Sequence, residues 1–303
     1  MSNLVFVTGD FCSGSTLVFT LFRKTAHYHC LYEPLHQKLR EYLIYGPRAE
    51  RQDHHFFLEN DYYREFRGFD KAAELFNPAW GTCDLFLAPE EPADELYRYF
   101  SYLIGTAFGR SSHVLLKENR MPFRLAWFKK NFPHAKIVHI YRRRDEQWKS
   151  LVKRVQEFVG KEDVGQDSVD FAGFNIAMWC EDLASRYPQL AAHQSTTGAE
   201  RFGKLWELNY ESNRASADVS VGYHELLNDF EAAWKRISEA VEMPATDVAT
   251  LKQFVVTPDK KNELLAAGYG QVGSLGTVAN LVRQRYARLR ARLEERRDTS
   301  RVQ

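Results

Sequence analysis

The 303-residue chain is short of cysteine, has no surplus of either charge and lacks any long apolar run. Each shortage removes a class of protein. Cys12, Cys30, Cys83 and Cys180 form no CxxC pair, which argues against a zinc cluster or a disulfide framework and for reduced thiols. Lys and Arg total 41 against 40 Asp and Glu, a formal charge of +1, so there is no electrostatic ground for a nucleic-acid or membrane-surface partner. Any anion site has to be local. No stretch of about 18 apolar residues occurs, and the first run, Leu4 to Val7, has no charged leader; a cytoplasmic chain without a transmembrane segment is expected. None of the ten histidines falls in an HExxH pattern, and no acidic or cysteine cluster has metal-ligand spacing, so no metal is expected.

What is present is a folding chain, 44% hydrophobic and long enough for one large α/β domain. Leu4-Val5-Phe6-Val7 ends at Thr8-Gly9-Asp10, and helical spacing takes over at Leu17 and Leu21. The alternation recurs. Val114-Leu115-Leu116 precedes a helix from Pro122 to Asn131, and Ile137 to Tyr141 precedes one from about Asp145 to Val159. Val219 to Tyr223 reads as a later strand, followed by a helix from about Asn228 to Val241, and Leu205 to Tyr210 as an added edge strand. The expectation is one α/β domain over residues 1–303, with a central parallel sheet of four or five strands flanked by helices. Residues 37–110, rich in aromatics and without a clear strand, read as a helical insertion over the acceptor side of the sheet. The arginine-rich stretch 277–303 reads as a solvated basic C-terminal helix and tail.

Four short patterns carry chemistry. Gly9, four residues, then Gly14-Ser15-Thr16 sits where a strand hands over to a helix, whose free amides and positive dipole end suit a phosphate. Ser15 stands where a P-loop has its lysine, which disfavours ordinary ATP or GTP hydrolysis. Taken alone, such a turn also fits a helix cap. Tyr141-Arg142-Arg143-Arg144-Asp145 closes a buried strand, and Ser150 follows Arg142 by eight residues, so that the two can share a second phosphate. Solvated surface arginines are the plainer alternative. Glu33 of Tyr32-Glu33-Pro34 has aromatic neighbours, and partial shielding raises a carboxyl towards neutrality, as a general base requires. A carboxylate that caps or bridges near a proline turn is the alternative. Lys117 leaves the strand Val114 to Leu116 at the same sheet edge.

Thr8-Gly9-Asp10-Phe11-Cys12-Ser13-Gly14-Ser15-Thr16-Leu17 resembles the 5′-phosphosulfate loop of PAPS-dependent sulfotransferases, with Cys12 in the place of the usual Arg or Lys. The resemblance covers roughly residues 4–34, 114–154 and 219–243, and the Glu-Pro pair is closer to the carbohydrate and bacterial type than to the phenol and steroid type. It implies a P-loop-like fold and PAPS as donor, with PAP as product and a small molecule or carbohydrate as acceptor. It further implies Ser13, Gly14, Ser15 and Thr16 around the 5′-phosphosulfate, Arg142 and Ser150 on the 3′-phosphate, and Tyr223 near the adenine. Glu33 is then the base, with His27, His29, His36 and His113 the other candidates because the phenol and steroid type uses a histidine, and Lys117 or Arg120 is the replacement for the charge missing at Cys12. Trp148 and Trp179 read as core residues or adenine-stacking partners, and the Gly-rich stretch 258–273 as a closing loop. An ATP-dependent small-molecule kinase and a non-catalytic PAP-binding relative are the rival readings.

Overall fold

The computed structural model describes residues 3–46, 62–159, 175–195 and 197–255. Five parallel strands form its sheet: β1 (Asn3–Thr8), β2 (His29–Tyr32), β3 (His113–Glu118), β4 (Ala135–Tyr141) and β5 (Val219–Gly222), in the order β2-β3-β1-β4-β5. β1 is central, which explains its unbroken apolar run. A parallel strand covered on both faces has no solvent side on which to place a polar residue.

Eleven described helices surround the sheet: α1 (Ser15–Lys24), α2 (Gln37–Tyr45), α3 (Ala72–Leu75), α4 (Asp94–Phe108), α5 (Leu125–Asn131), α6 (Arg144–Val159), α7 (Ile176–Leu183), α8 (Gly198–Ser216), α9 (Tyr223–Asn228), α10 (Phe230–Ala240) and α11 (Val248–Lys252). Val5 and Val7 of β1 join Leu115, Val138 and Ile140 beneath α1 and α10, where Phe19, Phe22 and Trp234 fill the space. The opposite side chains, Leu4 and Phe6, join Val114, Leu116 and Ile137 beneath α4 and α5, against Tyr99, Phe100, Trp127 and Phe128. Each fully buried aliphatic or Phe side chain of this kind contributes about 1.5–3 kcal/mol. A third apolar cluster joins Phe11 to Leu151, Val155, Trp179 and Phe202, locking α6, α7 and α8 onto the loop after β1.

Two sequence expectations need correction. Leu205 to Tyr210 is not an edge strand; it lies inside α8, where Phe202, Leu205, Asn209 and Asn213 bury one helical face and Thr197 caps the first turn. The fifth strand is β2 instead, at the other edge. Tyr223 opens α9 rather than ending β5. Within 37–110, α4 covers a face of the sheet as the crossover into β3, since its buried residues pack on Val114 and Leu116. The stretches 258–273 and 277–303 lie outside the described residues. No described helix is long and apolar enough to cross a membrane.

Candidate functional site

All five strands run the same way, so Thr8, Tyr32, Glu118, Tyr141 and Gly222 end at one edge, where the chain places its chemistry-bearing residues. The loop between β1 and α1 is held by close contacts. A Cβ on Gly9 would overlap the Ile140 carbonyl oxygen, and one on Gly14 would overlap Cδ2 of Tyr223. Gly14 also has φ +99°, a conformation costly for other residues. Cys12 takes a left-handed φ of 61°. Gln147 at the start of α6 donates to the Phe11 carbonyl at 2.7 Å, and Ser13 N–H donates to Asp10 O at 3.2 Å. The loop delivers α1 with Gly14 at its N-cap and no side chain capping the helix, which leaves its first amides open to an anion. Ser13 Oγ is buried and makes no hydrogen bond among the described residues.

Next to this loop the ends of β2 and β3 bring a buried ionic cluster together. Their register sets Tyr32 opposite Lys117, and the Glu33 amide donates to the Lys117 carbonyl at 2.6 Å. Lys117 Nζ donates to Glu33 Oε1 at 2.5 Å, and Arg120 Nη1 donates to Glu33 Oε2 at 3.0 Å and to Glu118 Oε1 at 3.1 Å. Lys117 Nζ also sits 4.6 Å from the centre of the Tyr32 ring. Burial pushes the Glu33 carboxyl up, but Lys117 and Arg120 outweigh it and hold the group well below the usual carboxylate range. The shielding expected to raise it is thus reversed by its cations. Burial lowers Lys117, against the pull of Glu33.

Two hydroxyls of the loop reach into the cluster. Ser15 Oγ donates to Asn119 Oδ1 at 3.0 Å, Asn119 Nδ2 faces Glu33 Oε1 at 3.5 Å, and Thr16 Oγ1 lies 3.2 Å from the Tyr32 hydroxyl. Of the four histidines weighed as bases, only His36 is at the cluster, 3.9 Å from Glu33 Oε2. Burial and then Arg120 drive its pKa well below the ordinary value, and its Nδ1 caps α2 by accepting from the Lys38 amide. His29 and His113 begin β2 and β3, at the opposite end of the sheet, and His27 precedes β2 with its ring on the Ala245 carbonyl.

Across the loop, Arg142 lies with its guanidinium 5.0 Å from the centre of the Tyr223 ring, and Tyr223 in turn abuts Gly14. Arg142 Nε makes no hydrogen bond among the described residues; Glu146 Oε2, one turn on, is 3.5 Å away. Ser150 lies against the Cys12 thiol, whose pKa burial raises, opposed by Arg154, by the Ser150 hydroxyl and by Arg142. The cations facing Cys12 therefore come from the segment 142–154, while Lys117 and Arg120 are paired with Glu33. Trp148 packs on Phe202 at 5.3 Å, and Trp179 is buried with its indole N–H donating to the Gly81 carbonyl at 3.1 Å.

The edge thus collects Cys12, Ser13, Gly14, Ser15, Thr16, Arg142, Ser150 and Tyr223 around one loop, with Glu33 and Lys117 on its flank. Sequence reasoning missed Asn119 and Arg154. Asn119 carries no charge pattern to flag it. Arg154 was findable, because it lies one helical turn beyond Ser150. A family model described as "Sulfotransferase family" matches residues 4–247. No curated protein matches the chain.

Proposed function

The chain belongs to the sulfotransferase family, and from that premise we propose that it moves a sulfuryl group from PAPS to a hydroxyl or amine of a small-molecule or carbohydrate acceptor. The observation that carries the reading is the meeting of an uncapped helix N-terminus with Arg142 and Tyr223 across Gly14. Open amides after β1 suit the 5′-phosphosulfate, and Arg142 with Ser150 suits the 3′-phosphate, while Tyr223 offers its ring to the adenine. A nucleotide phosphorylated at both positions uses both cradles.

In this mechanism the acceptor oxygen attacks sulfur as the bond from sulfur to the bridging oxygen breaks, and that bond's electron pair leaves on the 5′-phosphate of PAP. The acceptor's proton goes to Glu33. Ion pairing keeps the Glu33 carboxylate charged and ready to accept, and a donor anion that shares Lys117 weakens that pairing, which strengthens Glu33 as a base. Lys117, with the amides of the loop, stabilises charge developing on the leaving oxygens. Alignment and these fixed donors supply the rate, and no covalent enzyme intermediate is needed.

Transfer of labelled sulfate from PAPS to a panel of hydroxyl and amine acceptors tests the reading. Glu33→Gln is expected to keep PAP affinity and lose turnover by about 10²-fold or more, the share a positioned base supplies. Full activity in this variant would remove Glu33 from the mechanism, and no transfer to any acceptor by the wild-type protein would overturn the activity.

A further inference from the structure

Asn119 is the first residue after β3, 5% exposed, and its backbone amide is fixed on Glu118 Oε1 at 2.8 Å. Its side chain can face only one way. An ionised carboxylate accepts and never donates, so the amide nitrogen turns to Glu33 and the amide oxygen is left for Ser15, whose hydroxyl then donates. A parallel tie runs from Thr16 through the Tyr32 hydroxyl to the ring beneath Lys117. Each member of the Glu33–Lys117 pair is thereby linked to a different hydroxyl of the loop after β1.

We propose that Asn119 is a positioning residue, whose amide bridges the Ser15 hydroxyl and the Glu33 carboxylate and so holds the base in register with the donor loop. The proposal rests on the sulfuryl-transfer reading above. Lys117, Arg120 and His36 face Glu33 from β3, from the turn after it and from the start of α2, with Glu118 behind Arg120 and the Tyr32 ring beneath Lys117. Lys117 and Arg120 set the charge of Glu33. Asn119 contributes the connection to the loop, without which the carboxylate can swing with its cations while the donor stays on α1.

Asn119→Ala separates the two functions. Because the Ser15 hydroxyl remains and loses a competitor, PAP affinity is expected to stay within about threefold or to tighten. Turnover at saturating PAPS should fall by about 10²-fold, the scale of a reacting group misplaced by about an ångström. The acidic limb of the kcat/KM profile for the acceptor should move up by about half a pH unit, since a donor to the charged form of Glu33 is gone. Asn119→Ser, which keeps a short polar group at the bridge, should recover part of both losses; it also carries the measurement if the alanine variant does not fold. A limb and a turnover both unmoved in a folded, PAP-binding variant would overturn the bridge and leave the base reading standing. A limb that persists unchanged in Glu33→Gln would overturn both.

Discussion

Glu33 keeps a charge at 7% exposure, and two side chains make that affordable: Lys117 and Arg120. A lone buried carboxylate would neutralise instead. Asp10, in the loop itself, is shifted in that direction. Its Oδ1 accepts from the Phe11 amide at 2.7 Å, yet burial lifts its carboxyl from 3.8 to about 6. A folded-state value above the unfolded one means that Asp10 stabilises the fold most in acid, and that this contribution is lost as pH rises from about 4 through about 6. Asp10→Asn keeps the acceptor for Phe11 and removes the charge. It is expected to be more stable than wild type at pH 8 by up to about 3 kcal/mol and to lose that advantage below pH 4, as read from urea unfolding at both values. Equal stabilities at pH 8 would mean that the Asp10 carboxylate is well solvated or paired in the folded protein. At this scale the sequence announced Glu33 through its Glu-Pro pair and Lys117 through its place after an apolar strand. It did not announce their ion pair, because that depends on Tyr32 lying opposite Lys117, and parallel register leaves no local pattern.

The element that ties these residues together is the end of β3. Glu118 Oε1 accepts from the amides of Asn119 and Arg120 at 2.8 and 3.0 Å, and its Oε2 accepts from the Leu35 amide at 2.6 Å, so one buried carboxylate fixes the exit of β3 and the turn into α2. Glu118→Gln would place an amide N–H group against one of these donors and leave Arg120 short of a charge. The expected cost is about 3 kcal/mol in denaturant unfolding at pH 7, and a change within about 0.5 kcal/mol would mean that the turn holds without it. Elements also mark where sequence patterns stop being decisive. β1 was legible because a central parallel strand is apolar throughout. β2 was not, because His29-Cys30-Leu31-Tyr32 has two central apolar residues and four in all, too few for any period. Leu205 to Tyr210 misled for the opposite reason: Trp206, Leu208 and Tyr210 alternate with Glu207 and Asn209 as an edge strand would, whereas the buried Leu205, Asn209 and Asn213 follow the i, i+4 spacing of a helix.

The whole molecule divides its labour across one sheet edge. Residues 9–16 make the proposed first cradle, and residues 142–154 with Tyr223 face it; the proposed base and its cations come from 32–36 and 117–120. These stretches are distant in the chain and meet only because β1 is threaded between β3 and β4. Sequence reasoning could recover the spacing within each stretch, Gly9 to Gly14 and Arg142 to Ser150. How closely the stretches approach one another, as in the packing of Tyr223 on Gly14, is a property of the assembled fold. The reading of a doubly phosphorylated adenosine depends on both cradles acting on one ligand, and calorimetry with PAP and AMP, on wild type and on Arg142→Ala, isolates the second. PAP is expected to bind the wild type more tightly than AMP by about 10- to 100-fold, the worth of charge-assisted hydrogen bonds to one phosphate, and Arg142→Ala should erase most of that margin. Equal affinities for PAP and AMP, or a margin that survives the loss of Arg142, would contradict the account.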